Sequence, residues 1–501
     1  MFIPIHVALN QDHIRLLFGL KLKQLRIDKS LSLNDLSIKS GLSISYINEI
    51  EKGRKYPKSD KIMALSEAFG VDYDSLVSLK LSKKLEPISE LLNSNILTEL
   101  PLNMFGIDPA DLLQMLSDAP TKLSAFIGTL IEISRNYNMS VEQFYFSALR
   151  TYQEMYDNYF EDLEQEAEWF LEEFDIANTV LLDEKYLSDL LKKHYGYQIE
   201  NIDPDKYPEL ADVRSMTIPK GERMRLYINK QLSDNQRAFI FGREVGYQYM
   251  KLKKRLDTTS LVKAETFEEL LNNYKAAYFS SAILIKHKLM AEKMASFFAQ
   301  PSFDGQKLLE IMAYFNTTPE TFCYRLSNVL PKYFDVRQLF FFRISNQPNQ
   351  AVYEVTKEMH IARKHRPHTV KDEHYCRRWI AIKALQEIAT NPLPNAETLV
   401  RVQRSQYMDS KEEYLVISFA KSNQPNPNQN VCVSMGILID DHVRQLIKFM
   451  DDPLILGVEV NETCERCAAF DCKERQAAPK VLQQRTRNDA MRKAMEKLTK
   501  N

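Results

Sequence analysis

The sequence predicts a multidomain α+β protein, with an all-α domain at the N-terminus and a sheet-containing domain toward the C-terminus. A chain of 501 residues is too long for one hydrophobic core, so we expect several compact units. Apolar residues recur at helical spacing in the N-terminal third, whereas short apolar or alternating runs of strand length begin at Val336. Hydrophobic residues make up 44% of the chain and charged residues 27%, which is typical of a folded protein.

The composition excludes several classes of protein. No segment approaches the roughly 20 continuous apolar residues of a membrane-spanning helix, and the first residues lack a secretory signal, so we expect a cytoplasmic protein with no membrane partner. Six cysteines are too few for a disulfide scaffold in a chain of this length. The 13 glycines form no phosphate-cradling loop, which argues against a nucleotide-hydrolysing enzyme.

Charge is distributed unevenly along the chain. The net charge is only −1, so any affinity for nucleic acid has to come from a local patch. Such a patch lies between Asp12 and Lys61, where eleven Lys and Arg residues outnumber six acids. By contrast, the stretch from Glu154 to Asp175 carries ten acids and no Lys or Arg. We expect these acids to form the solvated face of one amphipathic helix spanning residues 145–174.

Residues 11–79 are predicted to form a small helical domain. Ser32 and Ser43 each precede a short helix as a cap, and Gly41 and Gly53 end those two helices, which flank a tight turn. The four predicted helices run from His13 to Lys29, from Leu33 to Lys39, from Ile44 to Glu51 and from Lys61 to Phe69.

The segment from Leu20 to Leu76 resembles the Cro/repressor-type (XRE) helix-turn-helix family along its whole length, although Leu33 stands where the family usually has Gln. The resemblance implies that the third helix enters the major groove of a double-stranded DNA operator. Physically, a short polar helix can contact bases, and the basic residues behind it can hold phosphates. The candidate DNA-binding residues are Ser43, Ser45, Tyr46, Asn48, Lys52, Arg54 and Lys55. The alternative is a small helical bundle that makes protein contacts.

Residues 80–150 are predicted to be a helical connector, and residues 151–330 a second domain. In that domain an apolar strand leads into a helix from Asp234 to about Met250. This layout resembles the ImmA/IrrE metallopeptidase-like family, whose helix carries H-E-x-x-H, so that two His hold zinc and the Glu acts as general base. The corresponding residues here are Arg243, Glu244, Val245, Gly246 and Tyr247, with Lys275 in place of the family's third ligand, a Glu.

These replacements predict a degenerate zincin-like α+β domain without catalytic residues, so that the chain is not an enzyme. An Arg, a Tyr and a Lys cannot replace two imidazoles and a carboxylate around a divalent cation, because two of the three bring positive charge. Glu244 then pairs with Arg243 or Lys275, or the former cleft binds a small anion with Arg243 and Lys275 as donors. The rival hypothesis is a metallopeptidase that cleaves a partner repressor.

Residues 331–460 are predicted to form an antiparallel sheet with helices packed on it. The five predicted strands cover residues 336–344, 351–359, 397–405, 412–420 and 430–439. Residues 376–388 and 441–450 are predicted to be helical. This is the layout of small PAS- or GAF-like sensor domains.

The C-terminal segment, residues 461–501, is rich in cysteine and ends in a basic tail. Cys464, Cys467 and Cys472 follow the pattern C-x-x-C-x-x-x-x-C, which lets a loop wrap several thiolates around one centre. The spacing alone leaves zinc and a four-iron, four-sulfur cluster open. Cys323 and Cys432 lie in apolar patterns and are predicted to be core residues.

The domain order, the CRRW segment and the cysteine-rich ending together resemble the short-chain acyl-CoA-responsive (RamB/PrpR-like) regulator family. The resemblance implies that Cys376 is a fourth thiolate ligand and that the centre is an iron-sulfur cluster. It also implies a homodimer that binds an operator and responds to a small-molecule effector, a short-chain acyl-CoA. A redox sensor in which the cluster itself is the signal is a second hypothesis.

Overall fold

The computed structural model describes residues 11–78, 141–176, 181–220, 223–256, 264, 266–348, 350–360, 373–393, 397–423, 425–426 and 428–500. The chain divides into two compact units, one comprising Met1–Ala148 and Glu265–Glu268 and the other Leu149–Ala264 and Glu269–Asn501. None of the described helices is long and apolar enough to cross a membrane. Most of the predicted connector, residues 80–150, lies outside the described residues.

The first unit contains the predicted helical domain. Its helices are α1 (Gln11–Asp28), α2 (Leu33–Ser40), α3 (Ile44–Glu51), α4 (Ser59–Phe69) and α5 (Tyr73–Val77). The four predicted helices are confirmed to within two residues at each end, and α5 is an additional short helix. Phe18 of α1, Leu36 of α2 and Ile47 of α3 belong to one buried cluster, so these three helices share a core.

Local signals fix the turn between α2 and α3. The Ser32 hydroxyl accepts from the Asp35 amide at 3.1 Å, and the Asp35 carboxylate accepts from the Ser32 amide at 2.9 Å, which completes a capping box. Gly41 ends α2 with φ of 72°, a left-handed conformation that favours glycine. Ser43 Oγ then accepts from the Tyr46 amide at 3.2 Å and starts α3.

The other α-helices among the described residues are α6 (Val141–Met155), α7 (Glu161–Glu173), α8 (Glu184–Lys193), α9 (Asp234–Tyr249), α10 (Phe267–Leu284), α11 (His287–Phe298), α12 (Gly305–Tyr314), α13 (Pro319–Phe334), α14 (Ile380–Thr390), α15 (Asp441–Leu446) and α16 (Lys480–Lys500). The prediction of one continuous helix over residues 145–174 was wrong, because the chain breaks between α6 and α7. Asp157 and Asn158 adopt φ of 48° and 54° there, and a right-handed helix cannot continue through two left-handed residues.

A three-stranded sheet lies in the second predicted domain. Its strands are β1 (Gln198–Ile202), β2 (Ser215–Lys220) and β3 (Arg223–Asn229). Strand β3 is central, parallel to β1 and antiparallel to β2. It leads into α9, which starts at Asp234 as predicted, behind a capping box formed by Ser233 and Gln236.

A six-stranded sheet forms the predicted C-terminal domain. Its strands are β4 (Leu339–Asn346), β5 (Tyr353–His360), β6 (Leu399–Tyr407), β7 (Glu413–Ser422), β8 (Asn430–Leu438) and β9 (Gly457–Val460), in the order β5-β4-β8-β7-β6-β9. The five predicted strands are present and pair antiparallel. The prediction of an entirely antiparallel sheet was wrong at one edge, where β9 pairs parallel with β6. Four residues are too few for an alternating pattern to reveal this strand.

Helices cover both faces of the six-stranded sheet. On one face α14 packs against the strands, and the rings of Trp379 and Phe342 lie 5.5 Å apart. On the other face α13 packs, and the rings of Phe322 and Phe419 lie 6.3 Å apart. The predicted domain boundary between residues 330 and 331 falls inside α13, so this helix serves both the sheet and the helices before it.

A buried ion pair ties α7 to α13. Glu164 is 4% exposed and Arg325 is fully buried, and two guanidinium nitrogens donate to the two carboxylate oxygens at 2.5 and 2.8 Å. Tyr278 on α10 donates to the same carboxylate at 2.6 Å. Burial raises the pKa of Glu164, but attraction and hydrogen bonds from Arg325 outweigh burial and hold the pKa well below its usual range. Glu164 therefore does not lie on the solvated acidic face that the sequence predicted.

We expect Glu164→Gln to lower the free energy of unfolding of the second unit by about 3–5 kcal/mol, because Arg325 is left as a buried charge without its counter-ion. Both tryptophans of the chain, Trp169 and Trp379, lie in this unit, so tryptophan fluorescence during urea unfolding measures the change. The matched control is Glu161→Gln, one turn earlier on α7, whose exposed pair with Lys332 contributes less than about 1 kcal/mol.

The same substitution changes the pH dependence of stability. Because the folded-state pKa of Glu164 is lowered, its contribution is fully present above the unfolded pKa of about 4.3 and is lost as pH falls through the folded pKa. The difference between wild type and Glu164→Gln should stay constant from about pH 6 to 8 and shrink below about pH 4. A difference that grows on acidification would contradict the assignment.

Candidate functional site

Helix α3 and the loop after it carry the predicted DNA-binding residues. The exposed members are Ser45, Arg54 and Lys55, and the half-buried members are Asn48 and Lys52. The hydroxyl of Ser43 is occupied as the cap of α3, and Tyr46 packs against the domain core. Sequence reasoning missed Ile44, which is 45% exposed at the start of α3 and can contact a thymine methyl group in a major groove.

Two contacts hold α3 on α1. Arg26 donates to the two carboxylate oxygens of Glu51 at 2.7 and 2.8 Å, and Glu51 is 3% exposed. A side chain at Gly19 would place its Cβ 2.2 Å from the Ile50 carbonyl oxygen, so glycine permits the close approach of the two helices. The attachment of α3 to α1 fixes the orientation of its outer face, which carries Ser45, and of the following loop, which carries Arg54.

Residues 243–247 on α9 contribute to a closed charge cluster. Glu244 is fully buried, and Arg255 donates to its two carboxylate oxygens at 2.8 and 2.7 Å. Arg243 donates to the same carboxylate at 3.3 Å, and the Tyr197 hydroxyl donates at 3.2 Å. Burial raises the pKa of Glu244, but attraction from Arg255 and Arg243 and their hydrogen bonds outweigh burial, so the pKa lies below its usual range.

The main partner of Glu244 is a residue that sequence reasoning missed. Arg255 follows α9 after a short turn and also stacks on Tyr247, with its guanidinium carbon 4.4 Å from the ring centroid. No spacing rule links residues 244 and 255, so only the fold brings them together. Of the two predicted ion-pair partners, Arg243 contacts Glu244, while Lys275 is half-buried on α10.

All four predicted cysteine ligands line one pocket of about 250 Å³, including its solvent-open mouth. They are Cys376, before α14, and Cys464, Cys467 and Cys472, after β9. Arg377, Arg378 and Arg475 line the same pocket. Positive side chains around thiolates offset their negative charge.

Backbone pairing joins the two cysteine segments, which lie far apart in the sequence. Tyr375 and Thr463 form an antiparallel bridge, and the Cys376 amide donates to the Glu462 carbonyl at 3.0 Å. The indole N–H of Trp379 donates to the Asn461 carbonyl at 2.9 Å. The tryptophan of the C-x-x-W segment therefore fixes Cys376 beside the cysteine loop.

Arg475 holds the cysteine loop in shape. Its guanidinium donates to four backbone carbonyls, those of Cys464, Cys467, Ala469 and Ala477, at 2.7, 3.0, 2.7 and 3.1 Å. The amide of Ala469 donates to Cys467 Sγ at 3.4 Å, and that of Gln476 donates to Cys464 Sγ at 3.4 Å. Hydrogen bonds of this kind stabilise thiolates and tune metal centres.

Within the part of the chain that the structure describes, no three His, Cys, Asp or Glu side chains are arranged to hold one metal ion. The predicted core cysteines, Cys323 and Cys432, are fully buried away from this pocket, as expected.

Two family models match the chain. A helix-turn-helix domain model matches residues 19–82, and an IrrE N-terminal-like domain model matches residues 201–327. The first match covers the second half of α1 and helices α2 to α5. The second covers β2, β3, α9 with Glu244, and the helices from α10 into α13. The resemblances to the Cro/repressor-type helix-turn-helix family and to the ImmA/IrrE family are thereby confirmed.

The chain also resembles known regulators. Over 67 residues it is 39% identical to the control protein C.BamHI of Bacillus amyloliquefaciens. The aligned residues cover 13% of this chain and 83% of that protein. It is 26% identical over 129 residues to a propionyl-CoA carboxylase regulator of Cereibacter sphaeroides, spanning 26% of each chain. A Mycobacterium tuberculosis transcriptional regulator of known structure is 18% identical, with a TM-score of 0.45 over 66% of this chain and 93% of that one. The chain belongs to the XRE-type helix-turn-helix family of DNA-binding transcriptional regulators and carries an IrrE-like domain behind its helix-turn-helix.

Proposed function

We propose that this chain is a sensing regulator, whose hold on an operator through α3 changes with the state of a cluster or effector in its C-terminal half. The observation that carries this proposal is the meeting of Cys376 with Cys464, Cys467 and Cys472 in one pocket. A four-cysteine site in the same chain as a DNA-binding domain provides a signal input for that domain.

The donor set of the pocket fits a four-iron, four-sulfur cluster. Four cysteines are the usual ligands of such a cluster, and the N–H···S bonds and the arginines that line the pocket suit its anionic thiolates. A zinc ion needs all its sulfurs at about 2.3 Å from one point, whereas each iron of a cluster takes its own thiolate. Zinc is the alternative.

When bound, such a cluster supplies a redox-active, oxygen-sensitive centre. The four cysteines would hold the cluster, and Arg475 fixes the shape of the cysteine loop. The bridge between Tyr375 and Thr463 ties that loop to the segment before α14. Glu474 binds Lys383 on α14 at 2.5 and 2.6 Å. A change in the loop therefore acts directly on the helix that covers the six-stranded sheet.

A short-chain acyl-CoA is the proposed effector, and the six-stranded sheet with its covering helices is the proposed PAS- or GAF-like sensor domain. One relative is, by its name, a regulator of propionyl-CoA carboxylase, an enzyme of short-chain acyl-CoA metabolism. We propose a homodimer, since two copies of α3 match a palindromic operator. A redox sensor without a metabolite is the alternative.

We propose that the IrrE-like domain is not catalytic. A general base has to reach a water molecule, but Glu244 is fully buried and its carboxylate is occupied by Arg255, Arg243 and Tyr197. The anion-binding alternative for Arg243 and Lys275 loses support, because the guanidinium of Arg243 already faces Glu244.

Replacing Arg54 and Lys55 together with Ala should weaken DNA binding and reduce the slope of log K against log salt by about 2, since each phosphate contact contributes about 0.9. Fluorescence anisotropy with a selected operator, at several salt concentrations, measures the slope. The control is Lys185→Ala with Lys192→Ala, which removes two exposed charges from α8. An unchanged slope in the variant with Arg54→Ala and Lys55→Ala would show that these two residues do not hold phosphates.

Anaerobically purified protein should contain about four irons and matching sulfide per chain, and Cys467→Ser should lose them. Elemental analysis with an absorption spectrum provides the measurement. Cys432→Ala, at a buried cysteine of the sheet, is the control and should keep its iron. One zinc and no iron would reject the cluster and make the cysteine site structural.

Purified protein incubated with zinc or manganese should not cleave candidate repressors. Glu244→Gln should instead lower stability by about 3–5 kcal/mol, since it leaves Arg255 and Arg243 buried without their counter-ion. Glu200→Gln, whose side chain is 47% exposed in its pair with Arg225, is the control for stability. Metal-dependent cleavage that disappears in Glu244→Gln would favour the peptidase hypothesis.

A further inference from the structure

Three arginines line the cysteine pocket, and two of them are engaged by the protein around it. Arg475 donates to four backbone carbonyls in and after the cysteine loop. Arg377 donates to the Ala351 carbonyl at 2.6 Å, and its guanidinium carbon lies 4.4 Å from the centroid of the Tyr353 ring. These two guanidinium groups therefore serve the local structure.

The third arginine, Arg378, has buried donors that the protein does not use. Its Nε and Nη2 atoms are closed off from solvent, and among the described residues neither atom has a hydrogen-bond partner. Arg378 lines the pocket with the four cysteines, and its charge interacts with Cys376, Cys472 and Cys467. Buried donors without an acceptor are costly. An anionic group bound among the cysteines would supply the missing acceptors.

The backbone of Arg378 is fixed, which presets its side chain at the pocket. The side-chain amide of Gln403 on β6 donates to the Arg378 carbonyl at 3.3 Å, and Gln403 is only 4% exposed. The backbone amide of Trp379 donates to the Cys376 carbonyl at 3.1 Å, which closes a turn around Arg378. A charged group held in this way needs little rearrangement to meet a ligand.

We infer that Arg378 is a positioning residue that donates hydrogen bonds to the sulfur atoms of the iron-sulfur cluster and raises its reduction potential. The inference rests on the proposed cluster and gives a specific role to a residue that is not a ligand. Hydrogen bonds to the sulfurs and nearby charge set the potential of such clusters. The guanidinium of Arg378 has several N–H donors in a rigid fork, so it can donate to more than one anionic sulfur.

The sign of the effect follows from charge. Reduction adds one electron, and therefore one negative charge, to the group held by the cysteines. A cation beside that group attracts the reduced form more strongly than the oxidised form. Removal of the positive charge of Arg378 should therefore lower the reduction potential.

Arg466 provides a matched control on the same loop. It lies between Cys464 and Cys467 in the sequence, but its guanidinium donates to the two carboxylate oxygens of Glu373 at 2.8 Å. Arg466 is not among the described residues that line the pocket. Its replacement removes the same charge from the loop without removing a donor at the cysteines.

The test compares the reduction potential of four anaerobically purified full-length proteins, namely wild type, Arg378→Gln, Arg378→Lys and Arg466→Gln. Each is titrated with dithionite as the electron donor, in the presence of redox dyes, and iron is measured in parallel. At a given potential, the ratio of reduced to oxidised cluster in Arg378→Gln should be at least about tenfold lower than in wild type, which is about 59 mV for one electron. Arg378→Lys keeps the charge and should lie between the two, and Arg466→Gln should match the wild type.

The outcomes separate this inference from the proposed function. Equal potentials and iron contents in wild type and Arg378→Gln would overturn the inference and leave the cluster in place. Equal shifts in Arg378→Gln and Arg466→Gln would also overturn it, because only the overall charge of the loop would then matter. A wild type without iron would overturn the proposed function and the inference with it.

Iron content provides a second readout if the cluster is lost from a variant. Loss of iron from folded Arg378→Gln, with iron retained in Arg378→Lys, would support the inference, because the positive charge then helps to hold the anionic group. Loss of iron from both variants, with folding checked by circular dichroism, would overturn it.

Discussion

Buried guanidinium groups that meet a carboxylate or a set of carbonyls are the constraint on which each part of this protein depends. Arg26 and Glu51 lock α3 onto α1, Arg325 and Glu164 join α13 to α7, and Arg255 with Arg243 closes over Glu244. Such pairs stabilise only when both members are present, since a lone buried charge is costly. They fix geometry more than they add net stability.

Arg475 extends this principle to the cysteine loop, where the guanidinium binds backbone carbonyls instead of a carboxylate. The loop has few apolar side chains to bury, so hydrogen bonds determine its shape. Contacts between this loop and α14 connect it to the sheet, whose opposite face lies under α13. The proposed signal at the cysteines therefore has a continuous packed route through the C-terminal half.

Local sequence patterns predicted much of the fold, because caps, left-handed glycines and alternating apolar runs act over only a few residues. The turn between α2 and α3 and the five long strands are examples. The break at Asp157 and the strand β9 were missed, since neither carries a local signal of sufficient length. The same limit applies to the sites. The spacing of Cys464, Cys467 and Cys472 predicts a metal site, whereas Cys376 was predicted as a ligand only from a family resemblance.

Residues that act through long-range pairing could not be predicted from local sequence patterns. Arg255 meets Glu244 across a turn, Glu164 pairs with Arg325 and not with solvent, and Glu320 pairs with cations from two strands and the segment before β2. Each of these charges looks like an ordinary surface residue in the sequence. Their burial is decided by how the elements pack, which no local pattern encodes.

The central claim is that the C-terminal half controls the hold of α3 on DNA. The most direct measurement is operator affinity of the same anaerobic preparation before and after brief exposure to air, at one salt concentration. We expect the affinity of the wild type to change by at least about tenfold, a coupling of roughly 1.4 kcal/mol. The affinity of Cys467→Ser should be the same before and after exposure to air. Identical affinities before and after exposure, in protein shown to have lost its cluster, would contradict the claim.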